Sequence, residues 1–287
     1  MPTLRQLRYL TALADERHFG RAAAACHVTQ PALSMQIREL EGELDLPLVD
    51  RSRGGAILTE EGEALAQRAR TLIAGVKDLE AFARERRGAL SRRLSLGLIP
   101  SVAPYLLPQI LPLLQSAVPE LELRVRETQT AQLLAELAAG DLDAVIAALP
   151  LAGEGLETAV LFEDPFLLAS PADEPLRLHD PRQLPAERLL LLEEGHCLRE
   201  QALGVCQASD LSTFGATSLT TLLHLVAHGQ GVTLLPQMAA EEMEDPRIAL
   251  HRFPEPQPSR TIAMAWRAGS PRRRQLKDIA DRIVIAR

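Results

Sequence analysis

Near the start of the chain, apolar side chains recur every three or four residues. Leu4, Leu7, Leu10 and Leu13, joined by Tyr9 and Ala14, predict one face of a helix that ends near Arg17 to Gly20. A short helix of small residues, Arg21 to His27, follows, and small side chains let neighbouring helices approach closely. After a brief turn at Val28, a third helix is predicted from Thr29 to Glu41. Thr29 suits its N-cap, and Pro31 is tolerated in a first turn whose amides have no intrahelical partner. Leu33, Ile37, Leu40 and Leu44 form its inward stripe, which leaves Gln30, Ser34, Gln36 and Arg38 outward or oblique, as side chains that read base edges or hold phosphates. Two short β-prone runs between Leu46 and Thr59, joined by an Arg/Gly turn, read as a wing with Arg51 and Arg53 placed for a nucleic-acid backbone or minor groove. These are the parts of a helix-turn-helix. A three-helix bundle with a solvated polar face has the same periodicity.

Thr59, followed by Glu60, Glu61 and Glu63, marks the capped start of a helix running to about Arg87. Its apolar stripe of Leu65, Ala69, Leu72, Ile73, Val76, Leu79 and Phe82 is long enough to call for a twin helix. The polar, small-residue stretch Arg86 to Arg93 reads as a hinge. Beyond it, strands at Leu94–Ile99, Leu121–Glu127 and Ala144–Ala148 alternate with helices near Pro104–Val118 and Thr130–Ala139. Further strands are predicted near Leu189–Leu192, Gly231–Leu235 and Thr261–Trp266, with helices at Ser218–His228 and Arg272–Ile285. This alternation predicts βαβ units and an open parallel sheet.

Length and charge sharpen that division. At 287 residues the chain is near the size at which a single core stops growing, so two or three compact units are expected. Hydrophobic residues make up 46% and charged residues 24%, ordinary for a soluble globular protein. No apolar run is long enough to span a membrane, and the start lacks the apolar stretch of a signal peptide, so the expected location is cytoplasmic, with no membrane partner. The net charge is −7. Residues 1–90 hold 13 basic and 13 acidic side chains, so the whole excess lies in residues 91–287. Residues 1–38 carry Arg5, Arg8, Arg17, Arg21 and Arg38 against only Asp15 and Glu16, a basic start able to meet DNA in an otherwise acidic protein.

The three cysteines are too few and too odd in number for a disulfide framework. Cys26, among alanines, reads as a small core residue. A helix starting near Cys197 would put that thiol at a helix N-terminus, where the dipole, Arg199 and a protonated His196 favour thiolate. Thiolate attacks peroxide, and a second thiol captures the sulfenic acid as a disulfide. Cys206 is the nearby second thiol; across a helix the two positions lie roughly 13 Å apart, whereas a disulfide needs Cα atoms within about 7 Å. Two unrelated buried cysteines are the plain alternative. Zinc on His196, Cys197 and Cys206 lacks a tight Cys-x-x-Cys pair and a fourth ligand. His224 and His228 share a helix face with no acidic partner beside them in sequence, so no metal site is assigned and no cofactor is expected.

Residues 1–87 resemble the DNA-binding domain and linker helix of LysR-type transcriptional regulators. The likeness rests on Phe19-Gly20-Arg21-Ala22-Ala23, Thr29-Gln30-Pro31-Ala32-Leu33-Ser34, Gln36-Ile37, Leu40-Glu41 and Leu58-Thr59. A second stretch, Glu194-Gly195-His196-Cys197-Leu198-Arg199 with Gln201-Ala202 and Cys206, resembles the redox segment of the family's hydrogen-peroxide sensors. Gly97 to Pro100, Pro104 to Pro108, Gln129-Thr130, Ala216 to Leu219 and Arg267 with Gly269-Ser270-Pro271 extend it over nearly the whole chain. The resemblance implies an α/β protein: a winged helix-turn-helix at 1–58, a linker and dimerisation helix with hinge at 59–90, and a two-lobed, periplasmic-binding-protein-like regulatory domain at 91–287. Lobe I is expected at about 91–160 and 268–287, and lobe II at about 161–267.

By the same resemblance Cys197 is the peroxidatic and Cys206 the resolving cysteine, with Ser101, Thr130, His196, Arg199 and Arg267 lining or supporting the peroxide pocket. Thr29, Gln30, Pro31, Ser34, Gln36, Arg38, Arg51 and Arg53 fall to DNA binding. Ser101 stands where the family commonly has threonine, and Thr213 and Gly215 flank Phe214 where its best-known members carry histidine and arginine. The implied partners are double-stranded DNA at a palindromic operator, further copies of the chain as dimer or tetramer, RNA polymerase, and hydrogen peroxide as the signal. The implied activity is transcriptional regulation, not catalysis. The alternatives are a regulator of this type that binds a small organic effector between the lobes, its cysteines incidental, and a thiol peroxidase.

Overall fold

The computed structural model describes residues 1–50, 57–85, 93–117, 119–153, 155–174, 180–207 and 215–285. It divides into two compact units, Met1–Arg87 with Ala138–Asp141, and Gly88–Leu137 with Leu142–Arg287. None of the described helices is long and apolar enough to cross a membrane.

The first unit begins with helices α1 (Leu4–Glu16), α2 (Phe19–Ala25) and α3 (Gln30–Leu44). Each start has its own solution for unpaired amides. Thr3 and Gln6 form a reciprocal capping box on α1. The His18 ring caps α2, its Nδ1 accepting from the amides of Gly20 and Arg21 at 3.0 and 3.2 Å. Thr29 occupies the N-cap position of α3, but its hydroxyl makes no capping bond. Pro31 at the second helical position removes one of the two amides such a cap would serve. Leu33, Ile37 and Leu40 are buried with Leu10, Leu13 and Ala22, whereas Leu44, expected in that stripe, is exposed at the helix end.

Strands β1 (Val49–Asp50) and β2 (Ile57–Leu58) pair antiparallel, as the wing reading expects. The tip with Arg51 and Arg53 lies outside the described residues. Glu41 holds the hairpin to α3, its Oε1 accepting from the amides of Leu48 and Val49 at 2.9 and 3.1 Å. Helix α4 (Glu60–Glu85) is capped as expected, with Thr59 Oγ1 accepting from Gly62 at 3.0 Å. Its apolar stripe splits in two. Ala69 and Ile73 pack with Leu7 of α1, while Leu72 and Leu79, seven residues apart, stand 59% and 69% exposed.

In the second unit, chain order gives β3 (Arg93–Leu98), α5 (Ala103–Ala117), β4 (Glu122–Glu127), α6 (Thr130–Ala138), β5 (Ala144–Ala148) and β6 (Leu156–Pro171). Then follow β7 (Leu191–Leu192), α7 (Cys197–Cys206), β8 (Gly215–Ala216), α8 (Leu219–Ala227), β9 (Thr233–Pro236), α9 (Gln237–Ala240), β10 (Ile248–Arg252), β11 (Ser259–Arg267) and α10 (Arg273–Ile285). The sheet runs β10-β6-β11-β5-β3-β4, with β9 also on β6. Only β4, β3 and β5 are parallel, so the expected parallel sheet is in fact mixed.

The 16-residue β6, unforeseen in the sequence because Glu163-Asp164-Pro165 reads as a break, serves both lobes. Its first half pairs with β11 and its second half with β9 and β10. Two cores result. One gathers Leu96, Leu98, Ile146, Ile262, Met264 and Trp266, with Leu276, Ile279 and Ile283 of the returning α10. The other gathers Phe166, Leu168, Leu191, Leu198, Cys206, Leu222 and Leu235. Ile262, Met264 and Trp266 of β11 thus pack in the first core.

Gly62 makes a close approach. A Cβ there would meet the Leu48 carbonyl oxygen at 2.2 Å, whereas one at Gly75, in the same helix, meets nothing within 4 Å. Overpacking of this kind costs about 1–3 kcal/mol, and replacing a mid-helix glycine by alanine gains up to about 1 kcal/mol. Gly62→Ala should lower, and Gly75→Ala raise or leave unchanged, the thermal midpoint of the first unit followed by calorimetry.

Candidate functional site

Three chain segments converge beside Cys197. Ile99, Pro100 and Ser101 follow β3; Gln129 and Thr130 open α6; Leu192, Gly195, His196 and Leu198 surround the start of α7. They enclose a cavity with an accessible volume of about 10 Å³. That is room for one water-sized molecule, and an organic effector does not fit it. Gly195 allows the close wall. Its φ is +87°, and a Cβ would lie 2.5 Å from Gln129 Oε1, while Gln129 Nε2 donates to the Glu194 carbonyl at 3.2 Å.

Two hydroxyl-bearing residues, Ser101 and Thr130, line this space. Ser101 Oγ accepts from Arg260 Nη1 at 2.7 Å, which leaves its own proton free to be donated elsewhere. The Thr130 hydroxyl lies against the Cys197 thiol and lowers its pKa, yet its oxygen has no aligned hydrogen-bond partner. Behind Ser101, Arg260 and Asp164 form an ion pair at 2.9 Å, each side chain only 1% exposed. They are direct cross-strand partners on β11 and β6. Arg260 also donates to the Ser101 carbonyl at 3.1 Å, and Asp164 Oδ1 accepts from the Met238 amide at 3.0 Å.

Arg260 thus takes the place expected of Arg267. The Arg267 guanidinium donates to the carbonyls of Leu137 and Leu142 at 2.6 and 3.1 Å and does not line the cavity. The two arginines are seven positions apart on β11, an odd spacing that puts them on opposite faces. Alternation along the strand separates the two arginines in the sequence, but does not say which face meets Ser101. Arg199 is buried and donates to the Leu192 carbonyl at 2.7 Å, tying α7 to β7 without lining the cavity. His196 does line it, but burial lowers its pKa, so it adds no positive charge.

The Cys197 thiol is the first residue of α7, as the sequence predicts. Its pKa is nevertheless raised. Burial is the largest cause, and Arg260, Thr130 and the Leu198 amide only partly oppose it. A helix N-terminus contributes about 0.3–1 kcal/mol, less than the roughly 1.4 kcal/mol of one pKa unit, so the dipole cannot offset strong desolvation. Cys206 sits in the second core, its pKa pushed from 9.0 to about 11 by burial. All three cysteines are free thiols, Cys26 half-buried beside the first unit's core. No cluster of three metal-ligating side chains occurs among the described residues.

On the first unit, Thr29, Gln30, Pro31 and Arg38 are exposed, while Ser34 and Gln36 are half-buried on α3. Gln36 Nε2 donates to Glu39 at 2.5 Å. Around α3, Pro31 and Arg38 point away from the Leu33 and Ile37 face, while Gln30, Ser34 and Gln36 lie oblique to it, Gln36 on the flank opposite the other two.

The raised Cys206 pKa fixes an alkaline window. A group whose folded pKa exceeds its unfolded value stabilises fully below the unfolded pKa, and that contribution is lost as pH rises through the folded one. The reduced protein should therefore lose stability between about pH 9 and about pH 11 more steeply than Cys206→Ala. Denaturant titrations under reducing conditions measure both slopes; equal slopes refute the burial argument.

Family profiles match the chain twice: residues 4–63 as "Bacterial regulatory helix-turn-helix protein, lysR family" and residues 87–284 as "LysR substrate binding domain". A hydrogen peroxide-inducible genes activator of Dickeya chrysanthemi is 45% identical, the match covering 98% of this chain and 94% of that one. The dual regulator OxyR of Escherichia coli K12 is 44% identical over 98% and 94%. Among solved structures, a full-length OxyR variant from Pseudomonas aeruginosa is similar with a TM-score of 0.74 at 38% identity, covering 99% of this chain and 95% of that one. A hydrogen-peroxide-bound OxyR mutant from Corynebacterium glutamicum gives 0.64 at 32% identity, covering 100% and 92%. With both of its domains matched and relatives aligned along nearly its whole length, the chain belongs to the LysR family of bacterial transcriptional regulators, within the OxyR type.

Proposed function

We propose that this regulator senses hydrogen peroxide through Cys197 and that Cys206 completes the switch as a disulfide partner. The observation that carries the reading is the water-sized cavity beside Cys197, lined by the hydroxyl-bearing Ser101 and Thr130. The Cys197 sulfur attacks one peroxide oxygen as the O–O bond breaks. The thiol becomes a sulfenic acid and the departing hydroxide takes the thiol proton to leave as water. Ser101, its oxygen already engaged by Arg260, donates to the peroxide, and Thr130 completes its unfilled hydrogen bonding there. Arg260 adds a buried positive charge that favours the thiolate character needed for attack.

The second step forms the Cys197–Cys206 bond and releases the sulfenic oxygen as a second water. The thiol pair has then lost two electrons, and the peroxide has gained them. Across the ten-residue α7 the cysteines are roughly 13 Å apart, beyond the about 7 Å a disulfide tolerates. Helix α7 therefore unwinds, and Cys206 leaves the second core to react. Loss of those packing contacts is the structural signal. Arg267, directed at the Leu137 and Leu142 carbonyls, belongs to the framework rather than to this chemistry.

At the other end of the chain, Gln30, Ser34 and Gln36 read base edges from α3 in the major groove. Thr29, Arg38 and the first turn at Pro31 meet the backbone, with Arg51 and Arg53 of the wing. The exposed Leu72 and Leu79 of α4 supply the apolar seam on which two copies associate over a palindromic operator. RNA polymerase is the partner that turns the redox change into transcription.

Mass spectrometry under non-reducing conditions after stoichiometric peroxide should show one Cys197–Cys206 bond. Its absence, together with an intact response of Cys197→Ser in a reporter assay, sinks the sensing mechanism. Gln30→Ala and Ser34→Ala should each cost about 1–3 kcal/mol of discrimination between operator and unrelated DNA in binding titrations at fixed salt. Unchanged discrimination in both rules out the placement of α3.

A further inference from the structure

A second cavity lies in the first unit, among α1, α4 and the Ala138–Asp141 segment that belongs to that unit. Its accessible volume is about 250 Å³, against about 10 Å³ beside Cys197. That approaches the lower end of ligand pockets, about 300 Å³. Two helices turn matching faces into it. Arg8, Thr11 and Asp15 follow a spacing of three and four along α1, and Arg70 and Lys77 lie two turns apart on α4. Ile73, packed on Leu7 and Ala69, supplies the apolar part of its wall.

The charges do not cancel. Arg70 Nη2 pairs with Asp15 at 2.6 Å, and Lys77 Nζ pairs with Asp141 at 2.6 Å. Arg8 is left over, with no ion pair to its guanidinium among the described residues, so the cavity lining of three cations and two carboxylates carries a net positive charge in a chain of net −7. Donor capacity also remains on the paired cations. Lys77 spends one further proton on the Ala139 carbonyl at 2.9 Å, and Arg70 Nη1 one on Gln67 at 3.1 Å. Among the described residues, the other guanidinium N–H groups and the third ammonium proton have no acceptor of their own. Converging cations with unfilled donor capacity, at metabolite size, suit a compact oxyanion held by forked arginine hydrogen bonds.

We infer that this cavity is a binding site for a small carboxylate- or phosphate-bearing anion, separate from the peroxide site and independent of its chemistry. Arg8 supplies the uncompensated charge, and Arg70 and Lys77 are held in place for it by Asp15 and Asp141. A bound anion links α1, α4 and the Ala138–Asp141 segment through a single charge, and so stabilises this unit by mass action.

The test uses the reduced full-length chain, titrated with sodium phosphate and with sodium succinate at ionic strength held constant with sodium chloride. Titration calorimetry and the thermal midpoint are read together. The expected result is a saturable heat and a midpoint that rises with at least one anion; the better binder tells a phosphate from a carboxylate ligand. Arg8→Gln, which breaks no ion pair among the described residues, should weaken binding at least tenfold, as should Lys77→Met. Arg38→Gln, on the DNA-reading helix, should leave it unchanged. No saturable response to either anion, or undiminished binding by Arg8→Gln, overturns the site. Loss of binding in Arg38→Gln alone overturns it too, by moving the anion to the DNA-binding face.

Discussion

A guanidinium almost wholly removed from water organises the second unit of this protein. Arg260 is 1% exposed, and among the described residues its ion-pair partner is the equally buried Asp164 directly across the β6–β11 pair. Buried ion pairs cost desolvation and repay it only when every donor and acceptor is engaged; removing one partner costs about 3–5 kcal/mol. Here the accounting is nearly complete. Asp164 uses its second oxygen on the Met238 amide, and Arg260 spends its outward N–H groups on the hydroxyl and carbonyl of Ser101. The pair thereby pins together the long strand common to both cores, the start of α9 and the turn after β3. That turn carries Ser101 to the wall of the cavity beside Cys197. Without this framework the hydroxyl would have no fixed direction.

The same burial sets the electrostatics of the thiols. Cys197 enjoys a helix N-terminus, a cation and a hydroxyl, and still has a raised pKa because it is taken out of water. Cys206, in the second core with no compensating group, is raised to about 11. The resting state is thus two protonated thiols on opposite ends of one helix, each packed against a different core. In the proposed switch, oxidation would change one partner of a pair that intact secondary structure holds apart. A bond between them would then require dismantling the helix. Chemistry of a few atoms would in this way be coupled to packing of many.

Much of this was legible in the sequence, and for identifiable reasons. The three N-terminal helices follow from the three-and-four spacing of Leu7, Leu10, Leu33 and Ile37. Thr59 announced the long helix, and Cys197 was placed correctly at the first position of α7. Ser101 and Thr130 were found through resemblance, and both line the cavity. What failed were inferences about environment. His196 and the dipole were expected to favour thiolate, but burial depth, which has no local sequence signature, outweighed them. The stripe on α4 was read as one face, although part of it packs on α1 and part stands exposed.

By itself the sequence determined periodicity, capping, the split of charge between the two halves and the pair of cysteines in one helix. These properties depend on residues within a few positions of each other, where backbone geometry fixes what faces what. Tertiary structure alone decided that β6 runs through both cores, that Arg260 rather than Arg267 stands behind Ser101, and that the thiols are protonated at rest. These depend on strand pairing and desolvation among residues far apart in the chain, from Ala169 with Thr233 across β6 and β9 to Ser101 with Arg260. Such relations are set by the register of the assembled sheet, and no stretch of the chain carries them on its own.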